Sequence, residues 1–125
     1  MGELGAPRLA YEGPQALDVA TNLLQANPDV VGIFAENDEM ALGAIQALGA
    51  RAGDDVHVVG FDGTDDGLAA VESGTLEATI AQQPRELGRQ SVELMADVLA
   101  GETVDSEVPV AVETVTVDNV GDYQS

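Results

Sequence analysis

Apolar and polar positions alternate along this chain with two periods, and the switches between them mark its elements. Ala16, Ala20, Leu23 and Leu24 recur at helical spacing as far as Asn27-Pro28, which ends that helix. Residues 30–35 form a short apolar run, read as a buried parallel strand. A second helix over 38–48 carries Met40, Ala41, Ala44, Ile45 and Leu48 on one face, and Gly49 suits its C-terminal cap. A strand over 56–61, a short helix over 65–73 closed by Gly74 and a strand over 76–81 follow. Pro84 opens the longest helix, 84–100, with Leu87, Ser91, Leu94, Met95, Val98 and Leu99 as its packing stripe and Gly101 as its stop. The alternating stretch 108–117 is split by Pro109 and predicts one or two edge strands. Strand and helix in turn predict an α/β fold, an open and mainly parallel sheet flanked by helices.

One strand-turn-helix unit occurs twice. Val31-Gly32-Ile33-Phe34-Ala35-Glu36-Asn37-Asp38 and Val58-Val59-Gly60-Phe61-Asp62-Gly63-Thr64 each end an apolar run on a short polar side chain, where a helix should begin. A strand, its crossover helix and the next parallel strand take roughly 30 residues and return the chain to the same sheet edge. Asn37 and Asp62, 25 residues apart, are therefore expected side by side.

Composition narrows the classes. The 125 residues make about one ordinary domain. Cysteine is absent, which excludes disulfides and thiolate metal sites. Asp and Glu number 23 against four Arg and no Lys, for a formal net charge of −19. Such a field repels phosphate backbones and anionic lipid, so no nucleic-acid partner is expected. The plain reading is a solvated acidic shell, and a lysine-free surface of this kind fits either a salt-adapted or a GC-rich source. No run of 18 apolar residues offers a membrane span, and residues 1–12 lack the basic start and apolar stretch of a signal peptide.

Ligands of open parallel sheets bind beyond the carboxyl ends of the strands, where loops and helix N-termini converge. Asn37, Asp62 and Gln82 fall at or just past those ends. An amide offers donors and acceptors, and a carboxylate accepts two strong hydrogen bonds, the complement of a ring carrying adjacent hydroxyls. A phosphate site would need a glycine-rich cradle with Lys or Arg, and neither G-x-x-x-x-G-K nor G-x-G-x-x-G is present. Taken singly, each of these residues reads more readily as a helix cap than as a ligand.

The strings Phe34-Ala35-Glu36-Asn37-Asp38-Glu39-Met40-Ala41-Leu42-Gly43-Ala44, Val58-Val59-Gly60-Phe61-Asp62-Gly63-Thr64 and Glu77-Ala78-Thr79-Ile80-Ala81-Gln82 together resemble the C-terminal half of ribose-type periplasmic sugar-binding proteins of ABC importers. The resemblance runs from Tyr11 to Asn119. It implies that Asn37, Asp62 and Gln82 hydrogen-bond sugar hydroxyls, and that Tyr11 packs its ring on the apolar face of the pyranose. It implies a periplasmic or extracellular protein, an ABC permease as partner, and no cofactor. It also implies that residues 1–125 are one α/β lobe, a truncated C-terminal part of a two-lobe protein, whose helix 84–100 would cross to the absent lobe. An uncovered stripe on that helix would point to self-association, a partner chain or a longer parent protein. With half a site, the isolated chain is expected to bind sugar weakly or undetectably.

Another functional class shares this fold, the effector-binding core of lactose-repressor-type transcription regulators. These carry a similar Asn-Asp and Gly-Phe-Asp but typically a Pro followed by Leu-Thr-Thr-Val at the third strand, where this chain reads Leu76-Glu77-Ala78-Thr79-Ile80-Ala81-Gln82. An enzyme finds little support. His57, the single histidine, lies within a predicted strand, and Ser73 and Ser91 have no His at a suggestive spacing. Asp62-Gly63-Thr64-Asp65-Asp66-Gly67 opens like a calcium loop, but position three is Thr64 and position twelve is Ser73 in place of a bidentate Glu, so no metal is expected.

Overall fold

The computed structural model describes residues 13–123. Its elements follow in the order α1 (Gly13–Ala26), β1 (Gly32–Phe34), α2 (Asp38–Leu48), β2 (His57–Asp62), α3 (Asp65–Glu72), β3 (Ala78–Ala81), α4 (Pro84–Leu99) and β4 (Glu113–Val115), with a 3-10 turn at Gly49–Arg51. The chain forms two compact units. One holds the described residues up to Ala81 and those from Thr114 onward, and the other is Gln82–Glu113.

In the first unit the sheet order is β1-β2-β3-β4. β1 and β2 run parallel with Ile33 opposite Val58, and β2 and β3 run parallel with Phe61 opposite Ile80. The helices α2 and α3 are the crossovers that make these pairs parallel. Their apolar stripes form the core: Met40, Ala41 and Leu48 of α2 and Leu68 and Val71 of α3 pack with Val56, Val58, Leu76, Val115 and Val120. Val56, Val58 and Val71 are fully buried, each worth about 1.5–3 kcal/mol of transfer free energy. α1 packs on α2 and buries Ala16 and Ala20. β1 stands at the sheet's edge and leaves Phe34 largely exposed.

Three expectations are corrected in extent. β1 is three residues long rather than 30–35, and β3 starts at Ala78 rather than at Leu76. Within 108–117, Glu113–Val115 alone is strand. Pro109 has no N–H to donate to a ladder, and Val108 and Val112 are exposed instead of packed.

In the second unit α4 buries none of its residues. Met95, Val98 and Leu99 are 60%, 51% and 80% exposed, and an open recess of about 440 Å3 lies along Ser91, Val92, Met95, Ala96 and Leu99. Arg89 is clamped between Glu86 and Glu93, three residues before and four residues after it on the same helix face. Hydrogen bonds from Arg89 and Gln90 hold the Glu86 carboxyl well below its ordinary 4.5, down to about 2. Its contribution is therefore fully present above about 4.5 and is lost as pH falls through about 2. A carbon-13 titration of the Glu86 side chain should show a midpoint near 2 that moves back toward 4.5 in Arg89→Gln; an unmoved midpoint would exclude Arg89 as the cause.

Two glycines test the packing. A Cβ on Gly67 would lie 3.1 Å from Asp38 Cβ and nearer still to its carboxyl group, whereas one on Gly88 meets nothing within 4 Å. Gly67→Ala should cost on the order of 1–3 kcal/mol by overpacking. Gly88→Ala should be neutral or stabilising by roughly 0.5–1 kcal/mol. Urea midpoints of the two variants measure both, and equal midpoints would refute the contact.

Candidate functional site

The strand register sets the site. Phe34 lies opposite Val59, an offset of 25 residues, and the same offset separates Asn37 from Asp62. Asn37, three residues past the end of β1, and Asp62, the last residue of β2, thus lie at the carboxyl ends of neighbouring parallel strands. Gln82 is the first residue after β3, which borders β2 on its other side, and it belongs to the second unit. Tyr11 lies outside the described residues.

Asn37 is a cap. Its Oδ1 accepts the Met40 N–H at 2.8 Å, and its extended backbone (φ −154°, ψ 167°) is that of an N-cap residue. The side-chain NH2 adds two donors to that acceptor. Asp62 is not a cap. α3 is capped by Thr64, whose Oγ1 accepts the Gly67 N–H at 3.1 Å. Asp62 is half-buried and has a φ of 119°, in a region that side chains rarely adopt and that costs of order 1–3 kcal/mol. Strain of that kind persists where the surroundings over-determine the backbone.

What surrounds it is a buried polar network that the sequence pattern does not reveal. Asp38, 0% exposed at the start of α2, accepts from Thr64 N at 2.8 Å and Thr64 Oγ1 at 3.1 Å through Oδ2, and from Thr79 Oγ1 at 2.6 Å through Oδ1. Thr79 Oγ1 in turn accepts the Gly63 N–H at 3.2 Å. Each hydroxyl both donates and accepts, so every proton in the network has a defined place. Gly60 and Gly67 make the room, since a Cβ on either would run into the Asp38 carboxyl group. Among 23 acidic residues, Asp38 reads as one more helix-start carboxylate. The legible signal is the pair of glycines facing it together with Thr79 inside an apolar strand.

His57, read as structural, places Nδ1 2.9 Å from Glu77 Oε2 at the opposite end of β2, with both side chains exposed. Among the described residues no group of three or more His, Cys, Asp or Glu is arranged to hold a metal ion. None of their helices is long and apolar enough to cross a membrane.

The family model described as periplasmic binding protein domain matches residues 7–103. The chain belongs to the periplasmic binding protein family. The ribose import binding protein RbsB of Escherichia coli (strain K12) is 52% identical over 105 residues, which is 84% of this chain and 36% of that protein. The chain therefore spans about a third of that relative's length. Among solved structures, an ABC transporter periplasmic solute binding protein from Actinobacillus succinogenes 130z with bound D-allose superposes with a TM-score of 0.83 at 34% identity, covering 92% of this chain and 41% of that one. An ABC transporter solute binding protein from Agrobacterium vitis with bound D-fucose gives 0.84 at 33% identity, over 94% and 41%.

This periplasmic binding protein chain has a testable cost at Asp62. Alanine normally exceeds glycine in stability, but at a φ of 119° the order should invert. Asp62→Gly is expected to be more stable than Asp62→Ala by about 1 kcal/mol in chemical denaturation. The usual order would show that the backbone relaxes and that no strain is held there.

Proposed function

We propose that this chain is the C-terminal lobe of a binding protein that delivers a pentose or hexose to an ABC permease from the periplasm or an extracellular surface. Its work is binding and not chemistry. The observation that carries the reading is that β1 and β2 are parallel neighbours, which brings Asn37, three residues past β1, and Asp62, the last residue of β2, to the same end of the sheet, where open sheets take ligands. Asp62 supplies a bidentate acceptor for adjacent hydroxyls, and Asn37 adds donors beside it. Gln82 follows β3 and reads a hydroxyl at the hinge, while Tyr11 packs on the apolar face of the ring. The relatives named above are binding proteins for ribose or carry bound D-allose or D-fucose, and they support this class of ligand.

The remainder of such a protein would supply the opposite wall of the cleft. Sugar bridging the two lobes then shifts an open population to a closed one, the form that a permease recognises. Alone, one wall leaves much of the sugar hydrated, so the isolated chain binds very weakly. The exposed stripe of α4, with Met95, Val98 and Leu99, is where a second lobe, a partner chain or another copy would add cover.

A chimera tests the reading. This chain replaces the matching third of the Escherichia coli ribose import binding protein, which is 52% identical to it. Calorimetric titration with D-ribose should give saturable binding, and Asp62→Ala should weaken it by about 1.5–3 kcal/mol, the worth of a hydrogen bond to a charged group. An affinity unchanged within about twofold would sink the assignment of Asp62.

A further inference from the structure

The strained turn at Asp62 and the buried carboxyl group of Asp38 belong to one device. Asp62 and Gly63 have φ values of 119° and 75°, consecutive residues in conformations that an extended strand would not adopt. Immediately after them, two backbone N–H groups are captured. Gly63 N–H is held by Thr79 Oγ1 at 3.2 Å and Thr64 N–H by Asp38 Oδ2 at 2.8 Å. Thr79 is itself fixed, because its hydroxyl donates to Asp38 Oδ1 at 2.6 Å. The two oxygens of one side chain therefore hold the turn directly and through β3. The carboxyl group is immobile in its turn: Asp38 is fully buried and starts α2 directly after the Asn37 cap. On the far side the turn is pressed against β3, where a Cβ on Gly63 would lie 2.7 Å from Ala81 Cβ.

We infer that Asp38 is a positioning residue, which holds Asp62 in its strained backbone conformation and sets it level with Asn37 for sugar binding. It touches no ligand. Its role rests on the proposed sugar site, but the clamp itself does not. Because Asn37 and Asp38 are consecutive, one helix start fixes both halves of the pair. Asn37 caps α2, and Asp38 reaches across to the turn that carries Asp62.

The three-bond HN–Hα coupling of Asp62 in the labelled 125-residue chain reads this φ directly. It should be small in the parent chain and rise to the large value of extended backbone in Asp38→Asn, where one acceptor oxygen becomes an NH2 facing a donor. Thr79→Val should do the same, since it removes the hydroxyl link without changing shape, and Thr79→Ser should restore the parent coupling. The valine and serine pair keeps the test valid if Asp38→Asn does not fold. In the ribose chimera, Asp38→Asn and Thr79→Val should weaken D-ribose binding at least about tenfold, the order of one charge-assisted hydrogen bond, while Thr79→Ser stays within about twofold. A merely structural Asp38 would lower the urea midpoint and leave the Asp62 coupling at its parent value, and that result overturns the proposal. Relaxed couplings with an Asp62→Ala chimera that still binds D-ribose normally would uphold the clamp and remove the sugar-site reading instead.

Discussion

A buried carboxyl group held by three donors is the constraint on which this fold is built. Removing Asp38 from water is costly unless its oxygens are satisfied, and the fold satisfies them with three donors from two separate segments. Those segments, the β2–α3 turn and β3, are thereby held against the start of α2. The apolar core of Val56, Val58, Val71 and Leu76 supplies most of the burial, but apolar contacts do not fix the path of a turn. Directional hydrogen bonds do. The fold accordingly keeps Gly60 and Gly67 where larger residues would strike the carboxyl group.

The site follows from that constraint by proximity in sequence. Asn37 precedes Asp38, and Asp62 precedes the Gly63-Thr64 pair that the network holds, so groups that fix the backbone lie one or two residues from the groups proposed to bind sugar. This separates the two tasks. Asp38 and Thr79 are buried, while Asn37, which also caps α2, and Asp62 stay half-exposed at the end of the sheet. Preorganisation of this kind lowers the ordering cost of binding.

The second unit obeys a different balance. α4 is strongly amphipathic in sequence yet buries none of its residues, and its polar face is laced by Glu86, Arg89 and Glu93. Exposed ion pairs of this kind contribute little to stability. Helix formation there rests on propensity and the N-terminal proline more than on packing. The family relationship gives the apolar face a context, since the chain spans only about a third of the relative it resembles at 52% identity.

Periodicity alone determined the element order and the parallel connection of β1 to β2, because a strand, its crossover helix and the following strand bring the chain back in the same direction. It also located the α2 boundaries, where Asn37 and Gly49 are local capping signals. The roles within the site were decided only in three dimensions. Thr64, not Asp62, caps α3, and the clamp joins residues 26 and 41 positions apart. Neither is visible to a pattern that reads neighbours within a turn or two. Likewise 108–117 alternates like a strand but forms one only over Glu113–Val115, because a ladder requires a partner edge and an N–H wherever the strand faces it, and Pro109 has none to give. Local chemistry chooses the elements; burial of one carboxyl group, a property of the whole packing, decides which distant segments are bonded together.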